Sequence, residues 1–245
     1  MDMGEEGLIE TIDALDENNI GYFGAGLDQD EAGKVFVEKF YVDDQEFTLA
    51  LIGAFEYSAT YKNKYSFYAD DEKSGVNELY FEHISKKIKD LKEENPNAFV
   101  VVFPHWGNNY QEANVSQKNM AHYLITEGAD MIIGHGSHMM QEVEKYNGKW
   151  IFYSLGNFVF NSPGRYQKLA VDPYSLMAEL VLSKALVGDS MNVDLRLYPV
   201  VTDNLVTNYQ GRFVVDEEFD DISKTLNVGD NCSDDIGQYI DIKIR

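Results

Sequence analysis

The sequence predicts an α/β protein, because two short apolar strands are joined by one amphipathic helix. The strands are residues 98–103 and 130–133, which are rich in apolar residues and bounded by turn residues. Residues 113–127 predict the helix, and Gly128 predicts its end. A crossover of this length is right-handed, so the two strands are parallel. Because 44% of the 245 residues are hydrophobic, the chain can bury one large core, and a single domain over residues 1–245 is predicted.

The other elements follow from periodicity and from turn residues. Residues 57–71 are polar and tyrosine-rich, which predicts a long loop anchored by aromatic side chains or, alternatively, a loop that faces substrate. Asn147-Gly148 predicts the turn of a hairpin. The remaining predicted elements are helices at residues 5–18, 76–94 and 216–226, a short strand at 20–26, and strands at 35–42, 47–55, 141–146, 149–154, 175–183, 192–200 and 239–244.

Histidines follow both strands of the predicted crossover. His105 lies in the segment PHWG, and His135 and His138 lie in the segment GHGSH. Because the carboxyl ends of parallel strands share one edge of a sheet, we expect these three histidines to converge. Imidazole suits zinc, iron and manganese, so a metal centre is the chemical hypothesis. The alternative is a hydrogen-bonded structural role, which is the role predicted for His83 and His122.

The composition limits the classes of partner. A formal net charge of −22 at pH 7 argues against nucleic acid and anionic lipid, since both require a basic face. Solubility is the simpler explanation of such an acidic surface. The single cysteine, Cys232, excludes an internal disulfide. No stretch approaches the roughly 20 apolar residues of a membrane span, and no signal peptide is recognised.

Two polar residues beyond the second hairpin are candidate substrate contacts. Arg165 is a rare cation in an acidic chain, and its guanidinium could hold a phosphate or carboxylate group or make a local salt bridge. Asn157 leaves a strand at the predicted histidine edge, so its amide could orient a ligand or cap its own turn. We expect Asn157 to face the histidines.

Five landmarks, in order, resemble one protein family. They are His105-Trp106-Gly107, Gln117, residues 128–138, Gln141 and residues 153–160, the last of which contain Ser-Leu-Gly-Asn-Phe. Together they resemble the CapA family, which is associated with synthesis of the poly-γ-glutamate capsule and has a calcineurin-like metallophosphatase fold. The resemblance implies an α/β (α+β) fold, in which a metallophosphatase-like sandwich of mixed sheets is flanked by helices.

The resemblance also implies a chemistry for the site. His105 matches a His-x-Gly loop and is implied as a catalytic residue. His105, His135 and His138 are implied as ligands of a divalent metal, Mn, Fe or Zn, in a centre where two metals clamp the oxygens of a phosphoryl transfer. Relatives often carry Glu where Asn109 stands and His-His-Pro-His at residues 135–138, so which of the paired histidines binds metal is open.

The start of the chain is expected to be incomplete by comparison with the family. Residues 2–8 resemble the tail of an early family segment, and Asp2 matches a position after a metal-binding pair rather than a ligand. A two-metal centre needs anionic ligands, because a bridging carboxylate screens the repulsion between two divalent ions. We therefore expect at most one loosely held metal, negligible phosphoesterase turnover and a tendency to form homo-oligomers.

Three functions are compatible with the sequence. The first is a CapA-like protein of capsule or poly-γ-glutamate synthesis with a metallophosphatase-type site, acting at the cell surface as the resemblance implies. The second is a metal-dependent phosphoesterase that acts on a small phosphorylated substrate. The third is a non-catalytic scaffold that binds an anionic polymer. Metal content and turnover of an aryl phosphate separate the three.

Overall fold

The computed structural model describes residues 3–158, 160, 163–184 and 191–244. Asp2 and Val159, which belong to segments that carry the family resemblance, lie outside the described residues. Contacts divide the chain into two compact units, and each unit is described by itself. Unit 1 contains Met1–Phe40, Phe47–Trp106 and Asn119–Ile132, and unit 2 contains Tyr41–Glu46, Gly107–Lys118 and Ile133–Arg245. The single domain over residues 1–245 stays a prediction.

The first part of the chain contains both strands and helices. In order they are α1 (Gly4–Glu17), β1 (Ala25–Gly26), α2 (Gln29–Ala32), β2 (Phe36–Val42), β3 (Gln45–Phe55), α3 (Ala59–Tyr65), β4 (Gly75–Val76), α4 (Phe81–Glu94), β5 (Phe99–His105), α5 (Val115–Thr126) and β6 (Met131–Ile133).

The predicted parallel crossover is confirmed. β5 pairs in parallel with β3, from Leu49 opposite Phe99 to Phe55 opposite His105, and in parallel with β6. The side chains of residues 99–102 in β5 are buried, as expected for a strand with neighbours on both sides. Asp130 fixes the approach to β6, because its Oδ2 accepts a hydrogen bond of 2.9 Å from the backbone N–H of Val100.

Three predicted elements in the first part of the chain differ from the structure by more than two residues. The helix predicted from residue 76 begins at Phe81, because Gly75–Val76 pairs instead with β1. Residue 75 must be a glycine in this conformation, since a Cβ at Gly75 would lie 2.3 Å from the backbone nitrogen of Ala69. The strand predicted at residues 20–26 is reduced to β1. The tyrosine-rich loop predicted at residues 57–71 contains a short helix, α3.

The later elements are mostly antiparallel strands. They are β7 (Val143–Tyr146), β8 (Lys149–Phe152), α6 (Arg165–Leu169), β9 (Tyr174–Lys184), β10 (Met191–Val201), α7 (Asn204–Thr207), β11 (Arg212–Phe213), α8 (Asp216–Leu226), β12 (Asp230–Ser233) and β13 (Gln238–Lys243). β10 pairs with β9, β11 and β13, and β12 pairs with β13, all antiparallel.

The hairpin predicted around Asn147-Gly148 is confirmed. β7 and β8 pair antiparallel, with Tyr146 opposite Lys149. Asn147 and Gly148 have φ angles of 48° and 77°, which are the left-handed values that a two-residue hairpin turn requires. This short connection brings the chain directly back towards the segment that contains Asn157.

The predicted fold class is confirmed, since parallel strand pairs, an antiparallel sheet and helices all occur in the described residues. The helices described here are all too short or too polar to cross a membrane.

One ion pair in unit 2 gives a pH-dependent contribution to stability. Glu218 accepts hydrogen bonds from Arg212 at 2.7 and 2.8 Å and from the backbone N–H of Val215 at 2.9 Å. The Arg212 hydrogen bond holds the pKa of Glu218 below its usual value. The carboxylate therefore contributes stability above the unfolded-state pKa, and this contribution is lost as the pH falls through the lowered folded-state pKa.

We predict that Glu218→Gln lowers the free energy of unfolding by about 1 kcal/mol at pH 7. The difference from the native chain should shrink as the pH falls through the lowered pKa of Glu218, because the carboxylate is then protonated in the native chain as well. Urea unfolding of both chains at a series of pH values measures this difference in the free energy of unfolding. Glu217→Gln, in the same helical turn, is the control and should change stability little. A Glu218→Gln deficit that stays constant throughout the acidic range in which the native chain remains folded would contradict the prediction.

Candidate functional site

His105 ends β5 in unit 1, and its position follows from the strand register. Because Phe55 lies opposite His105, the two rings stack with centroids 4.3 Å apart and an interplanar angle of 12°. The carbonyl of His105 accepts a hydrogen bond of 2.8 Å from the backbone N–H of Glu56. The imidazole is half-buried at the end of the strand.

The loop that carries His135 and His138 is fixed by backbone hydrogen bonds within unit 2. Gly134 donates to the carbonyl of Phe152 at 2.7 Å and accepts from the N–H of Leu155 at 3.0 Å. His138 has a φ of 62°, a left-handed value that costs a non-glycine residue free energy. Backbone in this sparsely populated region persists where the surroundings hold it, and such positions cluster at functional sites.

The ring of His138 is held between two aromatic rings and an amide. Tyr110 stacks on it at 5.6 Å with an interplanar angle of 20°, and Phe160 contacts it at 4.7 Å. Its Nδ1 lies 2.8 Å from Oδ1 of Asn157. We call the group formed by Tyr110, His138, Asn157, Phe160 and Tyr166 the His138 cluster.

Asn157 determines which nitrogen of His138 carries the proton. The Asn157 amide nitrogen donates to the carbonyl of His138 at 3.2 Å and to the hydroxyl of Tyr166 at 2.6 Å. Both amide hydrogens are therefore used, so the remaining contact is an oxygen that accepts from Nδ1–H of His138. In the neutral ring Nε2 then carries the lone pair, and it can accept a proton or bind a metal or a ligand.

A chain of hydroxyl groups extends the hydrogen bonds of Asn157 away from His138. The Tyr166 hydroxyl lies 3.2 Å from Oγ1 of Thr202, which lies 3.3 Å from Oγ of Ser175. Burial raises the pKa of Tyr166 above its usual value, so the phenol keeps its proton and can donate to Thr202. Asn157 is itself only 7% exposed. It holds His138 in place, and its contact with substrate stays a prediction.

Two buried glutamines among the family landmarks fix the segment that precedes α5. Gln117 donates to Oε1 of Gln141 at 3.1 Å and accepts from the backbone N–H of Asn114 at 3.0 Å. Gln141 in turn donates to the carbonyl of Gln111 at 2.7 Å. A Cβ at Gly107 would lie 2.7 Å from the Gln117 amide, so this position requires glycine. These contacts fix the loop from which Tyr110 reaches His138.

Arg165 lies beside the His138 cluster. Its guanidinium carbon is 5.6 Å from the centroid of the Tyr110 ring, and the side chain is exposed. Within the described part of the chain, no carboxylate forms an ion pair with it, so the local salt bridge that the sequence left open is not found there. Residues 145–171 contain four Lys or Arg residues and no Asp or Glu, although the whole chain has a net charge of −22.

The structure brings several of the predicted site residues together. His138, Asn157 and Arg165 belong to one region of unit 2, connected through Tyr110. The convergence of His105 with His135 and His138 stays a prediction, as does the catalytic role of His105. Sequence reasoning missed Tyr110, Tyr166, Thr202 and Ser175. The only signal for them was the short spacing of Tyr166 from Asn157 and its place beside Arg165.

The described residues do not by themselves fit the implied metal centre. Among them, no group of three or more His, Cys, Asp or Glu side chains is placed to hold a metal ion. The polar groups around His138 are an amide and hydroxyls, whereas two divalent ions need a bridging carboxylate. The divalent metal, Mn, Fe or Zn, stays a prediction.

The fold and the site define an α/β protein whose candidate site lies on loops that follow strands. The chain belongs to the family described as "Bacterial capsule synthesis protein PGA_cap", whose sequence profile matches residues 1–162. The predicted resemblance to CapA is thereby confirmed. The matched region includes His105, His135, His138 and Asn157, and it ends before Arg165.

Curated relatives carry names from the same process. The chain is 33% identical over 162 residues to "PGA biosynthesis protein CapA" of Bacillus subtilis (strain 168), which covers 66% of this chain and 40% of that protein. It is 32% identical over 164 residues to "Capsule biosynthesis protein CapA" of Bacillus anthracis, covering 65% of this chain and 38% of that protein. The matched stretch thus spans about two fifths of the length of these relatives.

Proposed function

We propose that this chain acts in capsule synthesis by holding an anionic polymer, of the poly-γ-glutamate type, at the His138 cluster. The observation that carries the proposal is Arg165, a cation with no carboxylate ion pair in the described residues, placed beside Tyr110 and His138. A guanidinium offers a planar fork of donors that matches a carboxylate. The names of the curated relatives supply the polymer class.

Local charge supports a polyanion at this place. The net charge of −22 repels an anionic chain from most of the surface. Residues 145–171 themselves carry four Lys or Arg residues and no Asp or Glu, so this segment is positively charged, unlike the chain as a whole. His138 presents Nε2 in the same region, and in its protonated form it would donate a second hydrogen bond to a carboxylate.

We predict that Arg165→Gln weakens binding of fluorescently labelled poly-γ-glutamate about fivefold, because one exposed ion pair is worth up to about 1 kcal/mol. Fluorescence anisotropy at low salt measures the dissociation constant. Lys168→Gln is the matched control, since it removes the same charge from the same helix, α6, and Lys168 is likewise exposed. An equal loss of affinity in the two variants would show that Arg165 contributes no more to binding than another cation of α6.

A metal-dependent phosphoesterase is the second candidate, and the tautomer of His138 favours it. Asn157 leaves the Nε2 lone pair available, as a metal ligand requires. The carboxylates of a two-metal centre are not assembled by the described residues. Elemental analysis together with turnover of an aryl phosphate tests this function. Two tightly bound metals per chain with turnover would favour the phosphoesterase over polymer binding alone.

A cell-surface location belongs to the same proposal, because the polymer of a capsule lies outside the cell. Fractionation of cells that produce the natural protein, followed by detection with an antibody, tests the location. Recovery in the cytosolic fraction alone would contradict it.

A further inference from the structure

The segment around α3 in unit 1 forms an exposed surface of tyrosine and lysine side chains. Residues 57–69 contain four tyrosines and two lysines and no Asp or Glu. The exposed members are Tyr57, Tyr61, Lys62, Lys64 and Tyr65, which we call the α3 surface. Large exposed aromatic groups in one place mark binding surfaces more often than isolated ones do.

The α3 surface packs on a half-buried aromatic side chain, Phe55, that also contacts His105. Phe55 meets Tyr61 edge-to-face at 5.6 Å and Phe67 at 4.8 Å. His105 lies opposite Phe55 in the adjacent strand β5, and the two rings stack with centroids 4.3 Å apart. Tyr61 also stacks on Phe67 at 5.3 Å. Because these rings already pack against one another, their side chains lose little conformational entropy when a ligand binds to them.

Both lysines of the α3 surface lie against tyrosine rings rather than against acids. Lys62 Nζ is 5.8 Å from the centroid of the Tyr57 ring, and Lys64 Nζ is 5.1 Å from that of Tyr65. No carboxylate in the described residues forms an ion pair with either lysine. The cations are therefore available to an external anion, and the rings beneath them provide apolar contact area.

We propose that the α3 surface binds a segment of a polycarboxylate chain, with carboxylates on Lys62 and Lys64 and methylene groups on the tyrosine rings. The inference rests on the proposed function for the polymer class. It adds a binding surface in unit 1 that shares an aromatic contact, Phe55, with His105. The chain has a net charge of −22, but residues 57–69 themselves carry two lysines and no Asp or Glu, so this segment is positively charged between its acidic neighbours Glu56 and Asp70.

Single-stranded nucleic acid is the competing occupant, because it also binds lysines and stacks its bases on aromatic rings. The α3 surface favours a flexible aliphatic polyacid instead. Tyr61 and Tyr65 are already engaged, at 6.2 Å from one another and against Phe67 or Lys64, so they offer partly covered faces rather than an open stacking platform. Methylene groups need only contact area and no parallel stacking.

The test measures binding of labelled poly-γ-glutamate to the 245-residue chain by fluorescence anisotropy at low salt. The double variant Lys62→Gln/Lys64→Gln should weaken binding at least fivefold and leave the thermal unfolding midpoint unchanged. The matched control, Lys34→Gln/Lys73→Gln, removes the same charge elsewhere in unit 1 and should change the dissociation constant less than twofold. A charge-matched single-stranded oligonucleotide serves as competitor and should bind more weakly.

The outcomes separate this inference from the proposed function. If the native chain binds the polymer and the two double variants lose affinity equally, the α3 surface is not the binding surface and the proposed function stands. If the oligonucleotide displaces the polymer at equal concentration, the polycarboxylate is the wrong ligand class for the α3 surface. If the native chain does not bind the polymer at all, the proposed function fails together with the inference.

Discussion

Replacing Asn157 with alanine is expected to lower the free energy of unfolding by about 2–4 kcal/mol, because buried polar partners lose their hydrogen bonds. Nδ1 of His138 loses its acceptor, and the Tyr166 hydroxyl and the His138 carbonyl lose their donor. Urea unfolding measures the stability. NMR of the imidazole nitrogens measures the second expected effect, which is a mixture of tautomers in place of the single Nδ1–H form.

The variant Asn157→Asp separates the acceptor from the donors. It keeps an oxygen opposite Nδ1 of His138 but cannot donate to Tyr166, so stability should fall while the Nδ1–H tautomer is kept. Unchanged stability in both variants would mean that the amide does not hold His138 in place.

Replacing Gly156 with alanine is expected to destabilise the protein by about 3 kcal/mol or more, through two effects in one residue. Gly156 has a φ of 85°, which disfavours any residue with a Cβ. The added Cβ would also lie 2.4 Å from Oγ and 2.9 Å from Cβ of Ser175, so the loop that carries Asn157 must move. Thermal and urea unfolding give the loss of stability, and polymer binding shows whether the His138 cluster is displaced with it.

The chain contains a matched control for this substitution. Gly148 has a φ of 77°, close to that of Gly156, but a Cβ there has no neighbour within 4 Å. Gly148→Ala therefore reports the backbone cost alone, about 1 kcal/mol. Adding Ser175→Gly to Gly156→Ala should recover part of the difference between the two, since it removes both clashing atoms but also the Ser175 hydroxyl that contacts Thr202. Equal losses for Gly148→Ala and Gly156→Ala would show that packing against Ser175 is unimportant.

Local sequence patterns predicted the elements whose formation depends on adjacent residues. The acidic helix was predicted at residues 216–226, and α8 is Asp216–Leu226. The hairpin at Asn147-Gly148 followed from turn chemistry, and the parallel pairing of β5 with β6 followed from the length of the crossover. In each case the determining residues lie within a few positions of one another or within one strand–helix–strand unit.

The contacts of the His138 cluster depend on residues that are far apart in the sequence. Thr202 supports Tyr166 from 36 positions away, and Tyr110 reaches His138 from another loop. No periodicity marks such pairs, because hydroxyl and amide groups have no preferred spacing outside caps and turns. The start of α4 was misplaced for a similar reason. The apolar stripe continues through Val76, but Gly75 lies against Ala69 and the segment pairs with β1 instead.

The division of the chain into interleaved segments has a consequence for synthesis of the protein. All three segments of unit 1 are complete once Ile132 has been added, while the last segment of unit 2 begins only at Ile133. Since proteins begin to fold from the N-terminus as they are made, unit 1 can collapse first. At that stage the segments Tyr41–Glu46 and Gly107–Lys118 of unit 2 have been translated, but the last segment of unit 2, with which they pack, has not.

A fragment that stops at residue 162, where the family match ends, would contain unit 1 but lack β9 and β10. Such a fragment would also lack Tyr166 and Thr202, so the histidine loop would be present without the side chains that hold it.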